Sequence, residues 1–146
     1  MGGRVSDIYV AAFVSGTEVG SRVRQAIAQV LGKDVELDSQ SIEGTFGNNI
    51  TVLRARVHRK KEVERVLSRI VRADYFVRSL EKAHERLDDN GVYHLRLDKS
   101  SAYRGAPELW EGGESIELRL KVVTYPFSYD EALGTVLALG PVNGQR

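Results

Sequence analysis

The run Ile50-Thr-Val-Leu-Arg-Ala-Arg-Val-His58 leads directly into Arg59-Lys-Lys-Glu-Val-Glu-Arg-Val-Leu-Ser-Arg-Ile-Val-Arg72, and the pattern of apolar residues changes between them. In the first run apolar and polar side chains alternate, which is typical of a β-strand with one buried face. In the second, valine, leucine and isoleucine recur at spacings of three and four, which predicts a helix over Glu62–Arg72. The chain therefore combines a half-buried strand with an amphipathic helix.

Upstream of this segment the pattern predicts a strand, a helix and a second strand. Residues Ile8–Val14 are rich in β-branched and aromatic side chains, which favours a strand. Thr17 can cap a helix that ends at Gly32. The stretch Asp34–Ile42 alternates weakly and predicts a strand, and the Gly- and Asn-rich stretch Glu43–Asn49 predicts a loop.

Downstream, a second helical pattern follows a break near Asp74 and stops at Asp89-Asn-Gly91, where the Asn-Gly pair favours a tight turn. Two alternating strands, Tyr93–Leu97 and Ile116–Val122, are then joined by a polar loop as a hairpin. Ser128-Tyr-Asp-Glu131 is a capping box that begins a last helix. The order β-α-β-β-α-α-β-β-α predicts an α+β fold, in one two-layer domain with helices packed on one face of a largely antiparallel sheet.

Length and composition set limits on the class of protein. The 146 residues, 42% of them apolar, fit a single domain over 1–146, with a core at about 7–139 and short flexible ends at 1–6 and 140–146. The absence of cysteine excludes disulfides and Cys-ligated metals. The longest apolar run, Ile8–Val14, is far shorter than the ~20 residues that a membrane-spanning helix requires. We therefore expect a cytoplasmic protein with no membrane partner.

Basic charge is concentrated in one part of the chain. The totals of 21 basic and 20 acidic side chains give a net charge of +1, but residues 51–72 carry eight basic and only two acidic side chains. Four basic residues fall on one side of the predicted helix: Lys61, Arg65, Arg69 and Arg72. Such a surface can follow a line of phosphates. A solvated helix face, in which the two glutamates pair with neighbouring arginines, explains the pattern equally well.

One group of residues has the chemistry of a metal site. It consists of Asp88, Asp89, His94 and Asp98, and it would also suit a metal-dependent nuclease. A structural role is the simpler interpretation, because Asp89 belongs to a turn and His94 to a strand face. The chain has no nucleotide-binding, nucleophile-elbow or dinucleotide motif, so no enzyme activity, cofactor or metal is expected.

Aromatic residues in the predicted loops offer a second kind of contact. Phe46, Tyr103 and Trp110 could stack on unpaired bases, or could cover the edge of the core. The strands lack the aromatic-rich signature of an RNA-recognition motif, which makes that module a poor fit.

Five strings carry a resemblance to a known family. They are Gly47-Asn-Asn-Ile50, Arg59-Lys-Lys61, Glu85-Arg-Leu-Asp-Asp-Asn-Gly91, Leu95-Arg-Leu-Asp-Lys99 and Ala102-Tyr-Arg-Gly105. Together they resemble an archaeal family of predicted RNA-binding exosome subunits. Its fold is related to the large-subunit ribosomal protein that binds 5S RNA, and has been described as double-stranded-RNA-binding-domain-like. The resemblance covers roughly Asp7–Leu139, and Asn48-Asn49 replaces the Asn-Pro of the family.

The resemblance implies an archaeal cytoplasmic protein whose ligand is RNA and whose further partners are exosome or other RNA-processing proteins. Together with the basic segment, it predicts a non-catalytic protein that contacts the backbone of structured RNA. The predicted RNA-binding residues are Arg54, Arg56, Arg59, Lys60, Lys61, Arg65, Arg69, Lys99 and Arg104. Asp98 could instead hold Arg96 or Lys99 in a salt-bridged hairpin end.

The alternative function is a protein-interaction or self-association module without direct RNA binding. In that case the acidic ends and the basic middle of the chain would meet other subunits, in a homo-oligomer or in a complex with different proteins.

Overall fold

Five strands and six helices make up the part of the chain described by the computed structural model, which covers residues 3–15, 20–43, 49–110, 112 and 115–141. The strands are β1 (Arg4–Val14), β2 (Asp38–Glu43), β3 (Asn49–Val57), β4 (Val92–Leu97) and β5 (Ile116–Val123). The helices are α1 (Gly20–Leu31), α2 (Lys60–Val71), α3 (Asp74–Ser79), α4 (Ala83–Arg86), α5 (Lys99–Tyr103) and α6 (Tyr129–Ala138), with a 3-10 turn at Leu80–Lys82. The strands form an antiparallel sheet in the order β2-β3-β1-β5-β4, which confirms the predicted α+β class.

The described residues group into two compact units. Unit 1 comprises the described parts of 1–8, 57–95 and 119–146, and unit 2 comprises those of 9–56 and 96–118. Both units contain strand and helix. None of the helices in the described ranges is long and apolar enough to cross a membrane.

In unit 1, α2 packs as its sequence period predicts, with Val63, Val66 and Ile70 fully buried. The next predicted helix is divided into α3, the 3-10 turn and α4. Leu87 has left the helical conformation and forms an antiparallel bridge with Tyr93, whose ring packs edge-on against Phe76 with centroids 6.1 Å apart. The Asn-Gly turn is confirmed immediately before β4.

In unit 2, α1 buries its apolar stripe and packs against α5. Gly32 ends α1 at a φ of 98°, and its N–H donates to the Ala28 carbonyl at 2.8 Å, as expected for a helix-ending glycine. The proposed cap Thr17 lies outside the described residues.

Helix α5 was not predicted, and a polar loop was expected in its place. Asp98 caps it, because its carboxylate accepts from the backbone N–H of Ser101 at 2.8 Å. The two residues that α5 buries, Ser101 and Ala102, are small. A five-residue helix with so little apolar surface leaves no periodic signal in the sequence.

The edge strand β2 is shorter than predicted, starting at Asp38 rather than Asp34. All six of its residues are exposed, and it pairs with β3 from Asp38 opposite Arg54 to Glu43 opposite Asn49. The predicted loop between the two strands falls mostly on residues 44–48, which lie outside the described ranges.

A capping box has two reciprocal hydrogen bonds, and one of them is confirmed at the start of α6. The Ser128 hydroxyl accepts from the N–H of Glu131 at 3.2 Å. The N–H of Ser128 donates to the Thr124 hydroxyl at 2.8 Å, where the motif predicts the Glu131 carboxylate. Thr124 therefore supplies the second half of the cap.

Replacing Gly91 with alanine should destabilise the protein. The residue has a φ of 83°, and a Cβ there would lie 2.6 Å from the Val122 carbonyl oxygen and 2.8 Å from the Phe127 ring. We expect Gly91→Ala to lower the free energy of unfolding by about 1–3 kcal/mol. Gly134→Ala, in the middle of α6 with open space around the new methyl group, should raise it by about 0.5–1 kcal/mol. Urea unfolding followed by circular dichroism measures both, and a neutral Gly91→Ala would contradict the structure.

Removal of the hydroxyl group should destabilise the protein at one of two buried tyrosines and not at the other. Burial raises the pKa of Tyr75, an effect that the charge of Arg69 only partly offsets, and the Tyr75 hydroxyl has no hydrogen-bond partner among the described residues. Tyr75→Phe should therefore leave the free energy of unfolding unchanged or raise it by about 1 kcal/mol. The Tyr93 hydroxyl shares a 2.8 Å hydrogen bond with Ser79, so Tyr93→Phe should cost about 1 kcal/mol. Equal destabilisation of the two variants in urea titrations would refute this assignment.

Candidate nucleic-acid interface

One face of the sheet in unit 2 is open to solvent and carries basic side chains. On β3, Leu53 and Ala55 are buried while Arg54 and Arg56 are exposed, as the alternation predicts. The Arg54 guanidinium donates to the side-chain oxygen of Gln40 on the neighbouring β2 at 3.3 Å. Both arginines are therefore held at the surface of the sheet.

Aromatic side chains lie on the same open face. The Arg56 guanidinium lies over the Tyr9 ring, 5.7 Å from its centroid, which places Tyr9 on the side of the arginines. Phe13 is four residues further along β1 and shares that side, because side chains alternate along a strand. Phe13 is 53% exposed while its neighbours Ala12 and Val14 are buried. We call this surface the open sheet face, defined by Tyr9, Phe13, Arg54, Arg56, Arg96 and Glu117.

Arg96 and Glu117 complete the open sheet face from β4 and β5. Arg96 Nη2 lies 3.6 Å from Glu117 Oε1, and the side chains are 54% and 32% exposed. The pairing of Arg96 is thus with Glu117, whereas the sequence alternative paired it with Asp98, whose carboxylate caps α5. A pair this exposed contributes little to stability.

The basic residues around the start of α2 lie in unit 1 and are exposed. Arg59 is the N-cap residue, and its side chain makes no capping hydrogen bond within the described ranges. Lys60 and Lys61 occupy the first helical turn. Because the N-terminus of a helix carries partial positive charge, cations there cost about 0.3–1 kcal/mol each. These three cations therefore do not stabilise the helix, and their charges are available to an anionic ligand.

The two remaining predicted residues of α2 differ in their surroundings. Arg65 Nη2 lies 3.5 Å from Glu62 Oε2, which is the helix-face pairing that the sequence left open for this residue. Arg69 is exposed in the last turn, and its charge acts on the buried Tyr75. An exposed ion pair such as Arg65–Glu62 contributes little to stability, so a phosphate can replace the glutamate as the partner of the arginine.

Lys99 and Arg104 both make hydrogen bonds within unit 2. The half-buried Lys99 donates from Nζ to the Phe13 carbonyl at 2.5 Å. The exposed Arg104 donates from Nη1 to the Ser100 hydroxyl at 3.1 Å. This hydrogen bond of Lys99 therefore links the start of α5 to the end of β1, and it places a positive charge beside Phe13.

The group around His94 has a structural arrangement in unit 1. One Asp88 carboxylate oxygen accepts from the N–H groups of Asn90 and Val92, each at 2.9 Å, and the other lies 2.9 Å from His94 Nε2. Burial raises the pKa of Asp88, but these hydrogen bonds together outweigh it and hold the pKa below its usual value. No cluster of three or more metal-ligating side chains occurs in the described part of the chain.

The predicted loop aromatics occupy separate positions. Tyr103 is 36% exposed at the end of α5, with the Arg22 guanidinium 5.6 Å from its ring centroid. Trp110 is 45% exposed. Phe46 lies outside the described residues.

Sequence reasoning missed three members of the open sheet face, Tyr9, Phe13 and Glu117, and left open whether Arg96 is functional or structural. On β1 every alternate residue is also apolar, so Tyr9, Ala11 and Phe13 cannot be distinguished from the core residues between them by polarity. A signal was present in their size, since the buried alternates are aliphatic, whereas the two ends of this series, the half-buried Tyr9 and the exposed Phe13, are aromatic.

Comparison with known proteins assigns the family. A family model described as RNA binding matches residues 7–122. The chain belongs to this RNA-binding family. It is 28% identical over 138 residues to the RNA-binding protein PAB1135 of Pyrococcus abyssi, which covers 89% of this chain and 90% of that protein.

Solved archaeal structures share the fold of this RNA-binding family member. Protein AF2318 of Archaeoglobus fulgidus is 25% identical, with a TM-score of 0.83 over 93% of this chain and 99% of that one. Mth689 of Methanothermobacter thermautotrophicus is 30% identical, with a TM-score of 0.79 over 92% of this chain and 97% of that one. Both are described as DUF54 proteins.

Removing the charge of Asp88 should destabilise the protein only where that carboxyl group is ionised. A depressed native pKa adds stability above the unfolded value of about 3.9, and the added stability disappears as pH falls through the native pKa. We expect Asp88→Asn to lower the free energy of unfolding at pH 7 by less than about 1 kcal/mol, because solvent screens this partly exposed carboxylate, and the difference to shrink steadily below pH 4. Asp89→Asn, in the exposed turn, is the matched control. Urea titrations at several pH values make the measurement, and a destabilisation independent of pH would exclude this role.

Proposed function

We propose that this chain is a non-catalytic RNA-binding protein that holds the RNA backbone with the basic side chains of β3 in unit 2, and we propose the basic side chains of α2 in unit 1 as further phosphate contacts. The observation that carries the proposal is the exposed array of Arg54 and Arg56 beside Tyr9 on the open sheet face, in a member of an RNA-binding family. RNA recognition commonly combines these two chemistries, with cations on phosphates and aromatic rings on unstacked bases.

Electrostatics supports a phosphate-binding role for the basic segment. Arg54 and Arg56 project from a strand whose other face is buried, so their position is fixed by the core while their guanidinium groups remain in solvent. A guanidinium group can bind two phosphate oxygens at once. Each phosphate that is neutralised releases counterions, which makes the affinity depend on salt. The contacts proposed from the sequence are Arg54, Arg56, Arg59, Lys60, Lys61, Arg65 and Arg69, joined by Lys99 and Arg104.

A cellular role in RNA processing follows from the sequence resemblance described above. We propose that the protein acts on RNA in the cytoplasm, as a single domain, and associates with the exosome or with other RNA-processing proteins. Recovery of exosome subunits with the protein from its native cells, in the presence of ribonuclease, would support direct association. Disappearance of those subunits on ribonuclease treatment would show that RNA alone connects them.

Removing basic side chains should weaken RNA binding and reduce its salt dependence. We expect Arg54→Ala/Arg56→Ala to lower the slope of log affinity against log salt by about 0.7–0.9 for each phosphate that the variant no longer neutralises. The reversal of Lys61, Arg65 and Arg69 to glutamate should abolish binding. Fluorescence anisotropy with single-stranded and with hairpin RNA, at several salt concentrations, measures both effects.

Matched controls separate a local surface from a general charge effect. Arg24→Ala/Lys33→Ala removes the same charge as the strand variant at exposed positions outside the proposed surface, and Arg24, Lys33 and Lys82 reversed to glutamate match the helix variant. These controls should retain most of the affinity. Unchanged binding in both test variants, or equal weakening in the controls, would defeat the proposed interface.

A protein-interaction module is the second candidate, and one feature of unit 1 favours it. Tyr125 and Phe127, which flank Pro126, are 82% and 45% exposed. Exposed aromatic side chains are enriched at protein interfaces. Light scattering at low and high salt tests self-association: an oligomer that dissociates in salt would support charge-based contacts, an oligomer that persists in salt would support contacts through the aromatic side chains, and a monomer under both conditions would contradict self-association.

A further inference from the structure

A pocket of about 310 Å³ lies at the edge of the open sheet face, entirely within unit 2. Its lining comes from the ends of four strands and from the start of α5. The lining residues are Phe13, Ser15, Ile50, Arg96, Lys99, Ser115 and Glu117. We call this cavity the Phe13 pocket. Its volume is at the lower end of the range for small-ligand sites, about 300–1,000 Å³.

One wall of the Phe13 pocket is apolar and suits a flat ring. The Phe13 side chain is 53% exposed, although it sits between buried residues of β1. Ile50, at the start of β3, is half-buried and lines the same cavity. Because an exposed aromatic ring beside a cavity is a platform on which a base can stack, the ligand favoured by this wall is a nucleobase.

The polar side of the pocket distinguishes among the bases. Arg96 and Glu117 present a hydrogen-bond donor group and an acceptor group side by side, with 3.6 Å between their nearest charged atoms. Guanine has the complementary edge, since O6 and N7 accept while the adjacent N1–H and N2 amino group donate. Adenine places an acceptor, N1, where the Glu117 carboxylate requires a donor. The pair therefore favours guanine over adenine.

A positive charge lies at the same cavity. Lys99 lines the pocket, and its Nζ donates to the Phe13 carbonyl. This contact fixes the ammonium group close to the residue on which the base would stack. A phosphate attached to the ribose of the bound nucleoside is the natural partner for that charge.

We propose that the Phe13 pocket binds a guanine nucleotide, with the base stacked on Phe13, its O6 and N7 edge bound by Arg96, its N1–H and N2 groups bound by Glu117, and its phosphate near Lys99. The nucleotide is either an unpaired guanosine of an RNA strand or a free mononucleotide. The first source rests on the RNA-binding function proposed above, whereas the second does not.

The test compares ligands that differ only at the recognised edge. Isothermal titration with GMP, IMP and AMP should give affinities in that order, because inosine lacks the N2 amino group and adenine also reverses the donor and acceptor. We expect GMP to bind about tenfold or more tightly than AMP. The RNA arm uses the hexanucleotides UUGUUU and UUAUUU in fluorescence anisotropy, with the same preference expected for guanine.

Variants with matched controls connect the preference to named side chains. Glu117→Gln should reduce the preference for GMP over AMP to less than about threefold, because the neutral amide no longer offers guanine two carboxylate acceptors. Glu36→Gln, at an exposed position outside the pocket, should leave the preference unchanged. Phe13→Ala should weaken the binding of GMP, IMP and AMP together, and Tyr125→Ala, at an exposed aromatic residue of unit 1, should not. Thermal unfolding of each variant confirms that the fold is retained.

The two arms of the test distinguish the two sources of the guanine nucleotide. A guanine preference in the RNA arm, with or without one for GMP, supports the pocket as an RNA site, and a preference for GMP alone supports it as a site for a free nucleotide. If neither arm distinguishes guanine from adenine, or if Glu117→Gln keeps the full preference, the pocket assignment is overturned. The backbone proposal is judged separately, by the affinity and salt slope of Arg54→Ala/Arg56→Ala on RNA without guanine.

Discussion

The alternation of side chains along β3 is the constraint from which the candidate interface follows. Leu53, Ala55 and Val57 are fully or almost fully buried, and a shift of one residue in the strand would exchange them with Arg54 and Arg56. Burying two arginines would cost far more than any alternative pairing of β3 with its neighbours β2 and β1 could return. The core therefore determines that both guanidinium groups face solvent, where Arg56 meets Tyr9 and Arg54 meets Gln40.

A second constraint lies in the Arg-Leu-Asp-Lys string that ends β4. Leu97 is buried in the core, and the Asp98 carboxylate caps α5. The Lys99 ammonium group binds the Phe13 carbonyl at the end of β1. Each of these three consecutive residues therefore has a structural role. Arg96 then points to the open face and pairs with Glu117. This division explains why the string is dense in charge although Asp98 does not hold Arg96, which was one of the alternatives that the sequence left open. It also means that Lys99 has a structural contact whether or not it binds a phosphate.

Most of the secondary structure could be predicted, for reasons that particular elements illustrate. Helix α2 and strand β3 have clear periods, and Gly32 and Gly91 mark the ends of elements because their positive φ angles suit glycine. The failures were local. Helix α5 is too short for a period to appear, the helix after Asp74 is interrupted where Leu87 pairs with Tyr93, and the reciprocal bond of the last capping box goes to Thr124.

The sequence by itself determined the fold class, the outward position of the β3 arginines and the concentration of basic charge in one segment, because these depend on local period and on composition. Only the tertiary structure decided which distant residues meet. The order β2-β3-β1-β5-β4 places β1 between β3 and β5, so that Tyr9 meets Arg56 and Phe13 joins Arg96 and Glu117 at one pocket. Strand order arises from the packing of the whole chain, and no local pattern of residues encodes it.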